Sequence, residues 1–186
     1  MTRLALHSLE NAPEASRPFL ERSLKNNGYL PNLVALLAGA PEALEAYLTV
    51  GELNARGALS LAEREVVQIT AAVIHGCGFC TAGHSAIALK KAGFGQEAVL
   101  ALHEGGATGE PRLDALASFT REIIATRGAA SEAAYRAFLA SDFNERQALD
   151  VVLGVSLATL CNFANNLGQP PINPELLPYS AGVLGR

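Results

Sequence analysis

The chain has 186 residues, of which 49% are apolar and 17% are charged, and its formal net charge is −4. This length and apolar content predict one globular domain over residues 1–186 and exclude a disordered chain. Lysine and arginine total only 14, and no basic cluster exceeds Lys90 and Lys91, which argues against a nucleic-acid partner. Without an apolar run of roughly 18–20 residues or a signal-peptide core, we expect a cytoplasmic protein and no membrane partner.

The chain is predicted to form a series of helices, because alanine and leucine dominate and alternating β-branched runs are scarce. We predict an all-α fold of about seven or eight helices, preceded by a mobile arm over residues 1–15. In chain order, helical segments are predicted near residues 19–25, 31–37, 41–54, 60–73, 79–91, 96–103, 112–127, 131–140 and 142–166. A glycine-rich loop is expected at residues 105–111, and the tail after Pro170 is expected to be irregular.

The core motif lies in residues 60–93. Ser60 and Glu63 form a capping-box pattern at the start of a helix with an apolar stripe. Gly76 and Gly78 interrupt that helix, and a second stripe then runs to Lys90 and Lys91 ahead of a glycine. Two helices joined by a tight turn are therefore expected here.

A faint internal repeat appears when the sequence is displaced by 82 residues. Residues 60–65 then align with residues 142–147, which predicts a two-fold repeat whose degenerate copy occupies residues 112–168. The alternative is that two capped amphipathic helices resemble each other by chance. On this offset the reactive side chains of the first copy meet neutral amides in the second: Glu65 faces Gln147, Cys80 faces Asn162, and His84 faces Asn166.

The three cysteines do not form an extracellular disulfide framework, since their number is odd and no secretory signal precedes them. Cys77 and Cys80 form a CxxC motif, which in a cytosolic protein indicates redox chemistry or a metal. Cys161 lies among apolar residues and is interpreted as a packed thiol.

Helical spacing predicts that four side chains lie close together: those of Cys77, Cys80, His84 and Glu65. Cys80 lies three residues after Cys77 and four before His84, so all three share one helix face. If the chain turns back near residue 75, Glu65 comes opposite His84, and a Glu65–His84 hydrogen bond is predicted. A carboxylate that orients an imidazole beside a thiol is the arrangement that activates a nucleophile. The second cysteine of the motif can convert a sulfenic acid into a disulfide.

This pattern of Glu, eleven residues, Cys, two residues, Cys, three residues and His resembles the signature of the AhpD-like alkylhydroperoxidases. These enzymes belong to the carboxymuconolactone decarboxylase-like superfamily. Leu30-Pro31-Asn32 and Ala40-Pro41-Glu42 extend the resemblance, which covers about residues 15–105.

The resemblance implies a helical homo-oligomer, a trimer or a hexamer, that reduces hydroperoxides. It assigns the redox cycle to Cys77 and Cys80 and the proton relay to Glu65 and His84. It implies no cofactor or metal, and a lipoyl or thioredoxin-like dithiol as reductant. Phe79 stands where some members carry a histidine, and the extra histidine here is His75.

Several alternatives stay open. Proximity to His84 favours Cys80 as the sulfur that attacks peroxide, whereas the helix N-terminus favours Cys77. The same groups could serve a thiol–disulfide oxidoreductase, another reaction of the superfamily, or a redox sensor. A zinc site would need a fourth ligand, Glu65 or Cys161. The amides Asn162, Asn165 and Asn166 could line a pocket, form a subunit contact, or simply end a helix.

Overall fold

The computed structural model describes residues 2–184, and every regular element within them is helical. The predicted all-α class is therefore confirmed. Eight of the α-helices have nine or more residues, in agreement with the predicted seven or eight. The α-helices are α1 (Arg17–Asn27), α2 (Asn32–Leu37), α3 (Pro41–Ala55), α4 (Leu61–Ile74), α5 (Gly78–Lys91), α6 (Gln96–Glu104), α7 (Pro111–Thr126), α8 (Glu132–Ala140), α9 (Glu145–Gly168) and α10 (Ala181–Leu184).

Helix α4 is the centre of the fold and packs against α5, α7, α9 and α6. It is buried along most of its length, with Val66, Val67 and Ile69 almost inaccessible to solvent. Two apolar clusters flank it. One contains the three cysteines, and the other includes a stack in which the Phe138 ring lies 4.2 Å from Phe119 and 4.4 Å from Phe143.

The N-terminus of α4 has the predicted capping box. The Ser60 amide donates to the Glu63 carboxylate at 2.7 Å, and the Glu63 amide donates to the Ser60 hydroxyl at 3.3 Å. These bonds satisfy two amides that the helix itself leaves unpaired. Arg112 of α7 contacts the same carboxylate at 2.9 Å, so the cap is also tied to the body of the fold.

The predicted start of the last long helix at Asp142 is wrong. Asp142 has a left-handed backbone with φ of 63°. Helix α9 begins at Glu145, because Asn144 forms a capping box with Gln147 at 3.1 Å in each direction. The two caps, Ser60 and Asn144, are thus 84 residues apart and not 82. Glu65 does not correspond to Gln147 in that register, and the internal repeat stays a prediction.

The N-terminal segment lies against the helical body. The Arg3 amide donates to the Gly168 carbonyl at 2.8 Å, and the His7 amide donates to the Ala35 carbonyl at 2.9 Å. Ala12 is buried in the cluster that holds the cysteines. The expected mobility of residues 1–15 stays a prediction, and these contacts argue against it.

The tail is more ordered than predicted. A 3₁₀ turn, Pro174–Tyr179, and the short α10 follow Gly168, and both contact α5. The Asn32 amide donates to the Asn173 side chain at 2.8 Å, and Leu176 joins the cluster that contains the cysteines. Long-range contacts of this kind leave no local periodicity in the sequence.

Helix α9 is long and apolar enough, by length and composition, to cross a membrane, and it is the single helix of residues 2–184 that passes this test. Core helices of globular proteins pass it as well. In this fold α9 packs against α2, α3, α4 and α7.

Candidate active site

A helical hairpin carries the site, as the sequence predicted. His75 ends α4, and Gly76 adopts φ of 68°, a left-handed conformation that glycine enters at little cost. The Cys77 amide donates back to the Ala72 carbonyl at 2.9 Å and closes the turn. Helix α5 can then return antiparallel to α4.

The predicted Glu65–His84 hydrogen bond is confirmed. Glu65 Oε2 lies 2.8 Å from His84 Nδ1, and the carboxylate residue is only 4% exposed. Burial acts to lower the pKa of His84, but the charge and the hydrogen bond of Glu65 raise it, and the net shift is upward. Because Nδ1 is occupied by Glu65, Nε2 is the ring nitrogen left for chemistry.

Both cysteines of the motif are buried free thiols. Cys77 is the N-cap residue of α5, and its sulfur accepts the Cys80 amide at 3.3 Å. The side-chain amide of Asn165, from α9, donates to the Cys80 sulfur at 3.2 Å. Each sulfur thus has a donor that favours a negative charge on it.

The two thiols are electrostatically unequal. A hydrogen bond from the Cys80 thiol lowers the pKa of Cys77 to about 7. Burial acts in the opposite direction and raises this pKa. Hydrogen bonds from the Cys80 amide and Asn165 and the charge of His84 lower it further. The hydrogen bond between the two thiols raises the pKa of Cys80, and burial and the charge of Cys77 add to that rise. Cys77 is therefore the more acidic thiol, and the two groups titrate as a coupled pair.

The amides at the end of α9 have a defined role that the sequence left open. Asn162 contacts His75 Nδ1 at 3.0 Å, and Asn166 donates to the His75 carbonyl at 2.6 Å. They fix the turn between α4 and α5, while Asn165 reaches the thiol. The sequence placed these amides near one another, but only the packing of α9 reveals which of them contacts sulfur.

Two cavities meet at the site. One, of about 270 Å³, is lined by Cys80, His84 and apolar side chains such as Phe79 and Leu176. Phe79, predicted as a core residue, is buried and also lines this cavity. The other cavity, of about 360 Å³, extends past Gln68 toward α1. The residues that line both are Asn27, Tyr47, His84 and Cys161.

Cys161 and His103 are two further reactive side chains, and Cys161 belongs to the same apolar cluster as Cys77 and Cys80. Cys161 is buried, and burial together with the charge of Cys77 raises its pKa to about 12. His103 contacts the buried Ser85 hydroxyl at 2.7 Å. Within residues 2–184 no group of three or more histidine, cysteine or acidic side chains is arranged to hold a metal ion.

Comparison with known proteins finds a family whose model matches part of the chain. Residues 41–122, which include Glu65, Cys77, Cys80 and His84, match the model of the carboxymuconolactone decarboxylase family. The match covers less than half of the chain, and it shows that the segment with these four residues is similar to the carboxymuconolactone decarboxylase family. The resemblance inferred from the sequence is thereby confirmed. No curated protein sequence matches the chain significantly.

Solved structures show that the chain has the AhpD-like fold. A peroxidase-related protein from Ralstonia eutropha JMP134, with an alkylhydroperoxidase AhpD core, is 20% identical over 95% of both chains, with a TM-score of 0.84. A peroxidase-related protein from Silicibacter sp. TM1040 is 19% identical over 94% of both chains, with a TM-score of 0.79. The debrominase Bmp8, in its apo form, is 15% identical over 100% of this chain and 97% of its own, with a TM-score of 0.74.

Proposed function

We propose that the protein is a thiol-dependent peroxidase in which Cys77 and Cys80 cycle between dithiol and disulfide. One observation carries the proposal: His84 is held by buried Glu65 through Nδ1 and lines the same cavity as Cys80. A base fixed in one tautomer beside a paired thiol is what a peroxide-reducing centre requires. The cavity gives a small hydroperoxide access to a sulfur that is otherwise 5% exposed.

Attack on peroxide is assigned to Cys80, because Cys80 lines the cavity and Cys77 does not. The Cys80 thiol first passes its proton to the Cys77 thiolate, against the pKa order of the pair, and the reaction consumes the small fraction in which Cys80 is the thiolate. This thiolate attacks the terminal oxygen of the hydroperoxide, the O–O bond breaks, and Cys80 becomes a sulfenic acid. The departing alkoxide takes a proton from protonated His84 and leaves as the alcohol.

Disulfide formation completes the oxidative half of the cycle. Cys77 gives its proton to His84 and attacks the Cys80 sulfur. The S–O bond breaks, and the departing hydroxide takes that proton to form water. An external dithiol then supplies two electrons and two protons, and both thiols return.

The external reductant is proposed to be a slim dithiol, such as a lipoyl group, or a thioredoxin-like protein. Both cysteines are buried, Cys77 being 2% exposed, and Cys80 lines the cavity, so the reductant has to reach the disulfide at Cys80 through the cavity. A lipoyl arm meets this requirement more easily than a protein surface does. We also propose that the enzyme works in the cytoplasm.

The test is consumption of cumene hydroperoxide by the reduced protein, with dihydrolipoamide as reductant. We expect Cys77→Ser and Cys80→Ser each to abolish multiple turnover, and Cys161→Ser, the matched control, to keep it. Cys77→Ser should still react once and form a sulfenic acid at Cys80 that dimedone traps. Trapping at Cys77 in Cys80→Ser, and not at Cys80 in Cys77→Ser, would reverse the assignment of the two sulfurs.

Thiol–disulfide exchange is the alternative reaction for the same groups. Burial of both sulfurs disfavours it, because protein disulfides are bulky. Rapid reduction of a small disulfide with slow peroxide turnover would favour this alternative. Stoichiometric zinc in protein purified without chelator would instead favour a metal-binding module.

A further inference from the structure

Tyr47 is a polar side chain at the centre of the site that the redox cycle does not use. It lies on α3 and packs against the apolar cluster that contains Cys77, Cys80 and Cys161. It also lines both cavities together with His84. Tyr135, by contrast, packs against the other apolar cluster and lines neither of these cavities.

The Tyr47 hydroxyl is available to a ligand. It forms no hydrogen bond with any side chain or backbone group of residues 2–184, whereas Glu65 pairs with His84 and the amide nitrogen of Asn165 donates to the Cys80 sulfur. A tyrosine hydroxyl in a mostly apolar surrounding normally finds a partner. A cavity at the hydroxyl is where that partner can bind.

The surroundings also fix its protonation state. Burial, with the negative charge of Cys161 and Cys80 adding to it, raises the pKa of Tyr47 well above the usual value of tyrosine. The hydroxyl therefore keeps its proton throughout the cycle and can donate a hydrogen bond.

We propose that Tyr47 is a further catalytic residue, whose hydroxyl donates a hydrogen bond to the peroxide oxygen that leaves as alkoxide. This inference rests on the proposed peroxidase function. As the S–O bond forms and the O–O bond breaks, negative charge develops on the departing oxygen. The Tyr47 hydroxyl stabilises that charge and keeps its own proton, and His84 Nε2 supplies the proton that completes the alcohol.

The experiment compares Tyr47→Phe with wild type and with the matched control Tyr135→Phe, at a tyrosine outside both cavities. The second-order rate constant of the reduced protein is measured with cumene hydroperoxide and with peracetic acid. Acetate leaves without needing a donor, whereas an alkoxide is a poor leaving group. We expect Tyr47→Phe to lose about 10²-fold with cumene hydroperoxide and little with peracetic acid, and Tyr135→Phe to behave as wild type.

Two further readouts keep the outcome unambiguous. The ratio of the two rate constants, taken on one preparation, does not depend on the fraction of folded protein. The pH profile of iodoacetamide alkylation should be unchanged in Tyr47→Phe. An equal loss with both oxidants, or no loss with cumene hydroperoxide, would overturn the role of Tyr47 alone. A wild-type protein inert to both oxidants would overturn the peroxidase function and this inference with it.

Discussion

The charge of Glu65 matters at the residue scale because it acts through His84 on the thiols. The carboxylate raises the pKa of His84, and the imidazolium in turn helps to lower the pKa of Cys77. The spacing of these residues in the sequence predicted their proximity. Spacing could not give the direction of each shift, because burial and charge act in opposite senses on His84.

Glu65→Gln should therefore move the thiol titration. With the charge removed, the pKa of His84 falls, less imidazolium is present near neutral pH, and the pKa of Cys77 rises above about 7. A thiol reacts as its thiolate, so the alkylation rate of Cys77, followed by peptide mass spectrometry, should rise at higher pH than in wild type. Peroxide turnover should fall as well.

Glu63→Gln is the matched control for that variant. Glu63 is a second buried carboxylate of α4, but it pairs with Arg112 and the Ser60 amide, away from the thiols. Glu63→Gln should lower the free energy of unfolding somewhat and leave the pH profile of Cys77 alkylation unchanged. Identical profiles for Glu65→Gln and wild type would refute the proposed relay.

At the scale of the elements, the close contact between α9 and α4 positions Asn165. A Cβ atom added at Gly154 would lie 3.0 Å from Val67 Cγ1 and 3.5 Å from Gln68. The Gln68 side chain donates to the Gly154 carbonyl at 2.9 Å, so the helices are hydrogen-bonded where they are closest. The sequence presents Gly154 only as a helix-weakening residue, because its partner lies 86 residues away in the chain.

Gly154→Val should destabilise the fold, because its side chain enters space that Val67 occupies. Overpacking of this kind costs about 1–3 kcal/mol. Gly51→Ala is the control: it lies in α3 with nothing within 4 Å of an added Cβ, and alanine should stabilise that helix by up to about 1 kcal/mol. Urea unfolding measures the free energy of unfolding of both variants. Equal midpoints for Gly154→Val and wild type would mean that α9 can move away from α4 at no cost.

On the scale of the whole molecule, a single chain leaves apolar surface on α9 uncovered. Leu149 is 70% exposed, and Phe163 and Leu167 are each 56% exposed. An apolar groove of about 570 Å³ lies beside Phe163 and Leu167 and continues to Leu4 and Leu36. Large exposed apolar patches commonly mark contacts between proteins, and we propose that this surface forms a homo-oligomer contact.

Sedimentation equilibrium tests that proposal. The chain mass is 19.4 kDa, and we expect wild type to sediment as a trimer or a hexamer. Leu149→Glu should shift the distribution toward monomer by placing a charge in the contact. Leu177→Glu, a change at an exposed leucine outside α9, should leave it unchanged. A monomeric wild type would disprove the expected assembly.

The sequence by itself determined the helical class, the α4–α5 hairpin and the Glu65–His84 pair. These depend on contacts that are local or cross one turn, where helical periodicity and glycine positions fix geometry. Only the tertiary structure decided that Asn165 contacts Cys80, that Tyr47 lines both cavities and that residues 174–179 pack on α5. Each of these contacts joins segments far apart in the chain, and no local pattern records which residues such packing brings together.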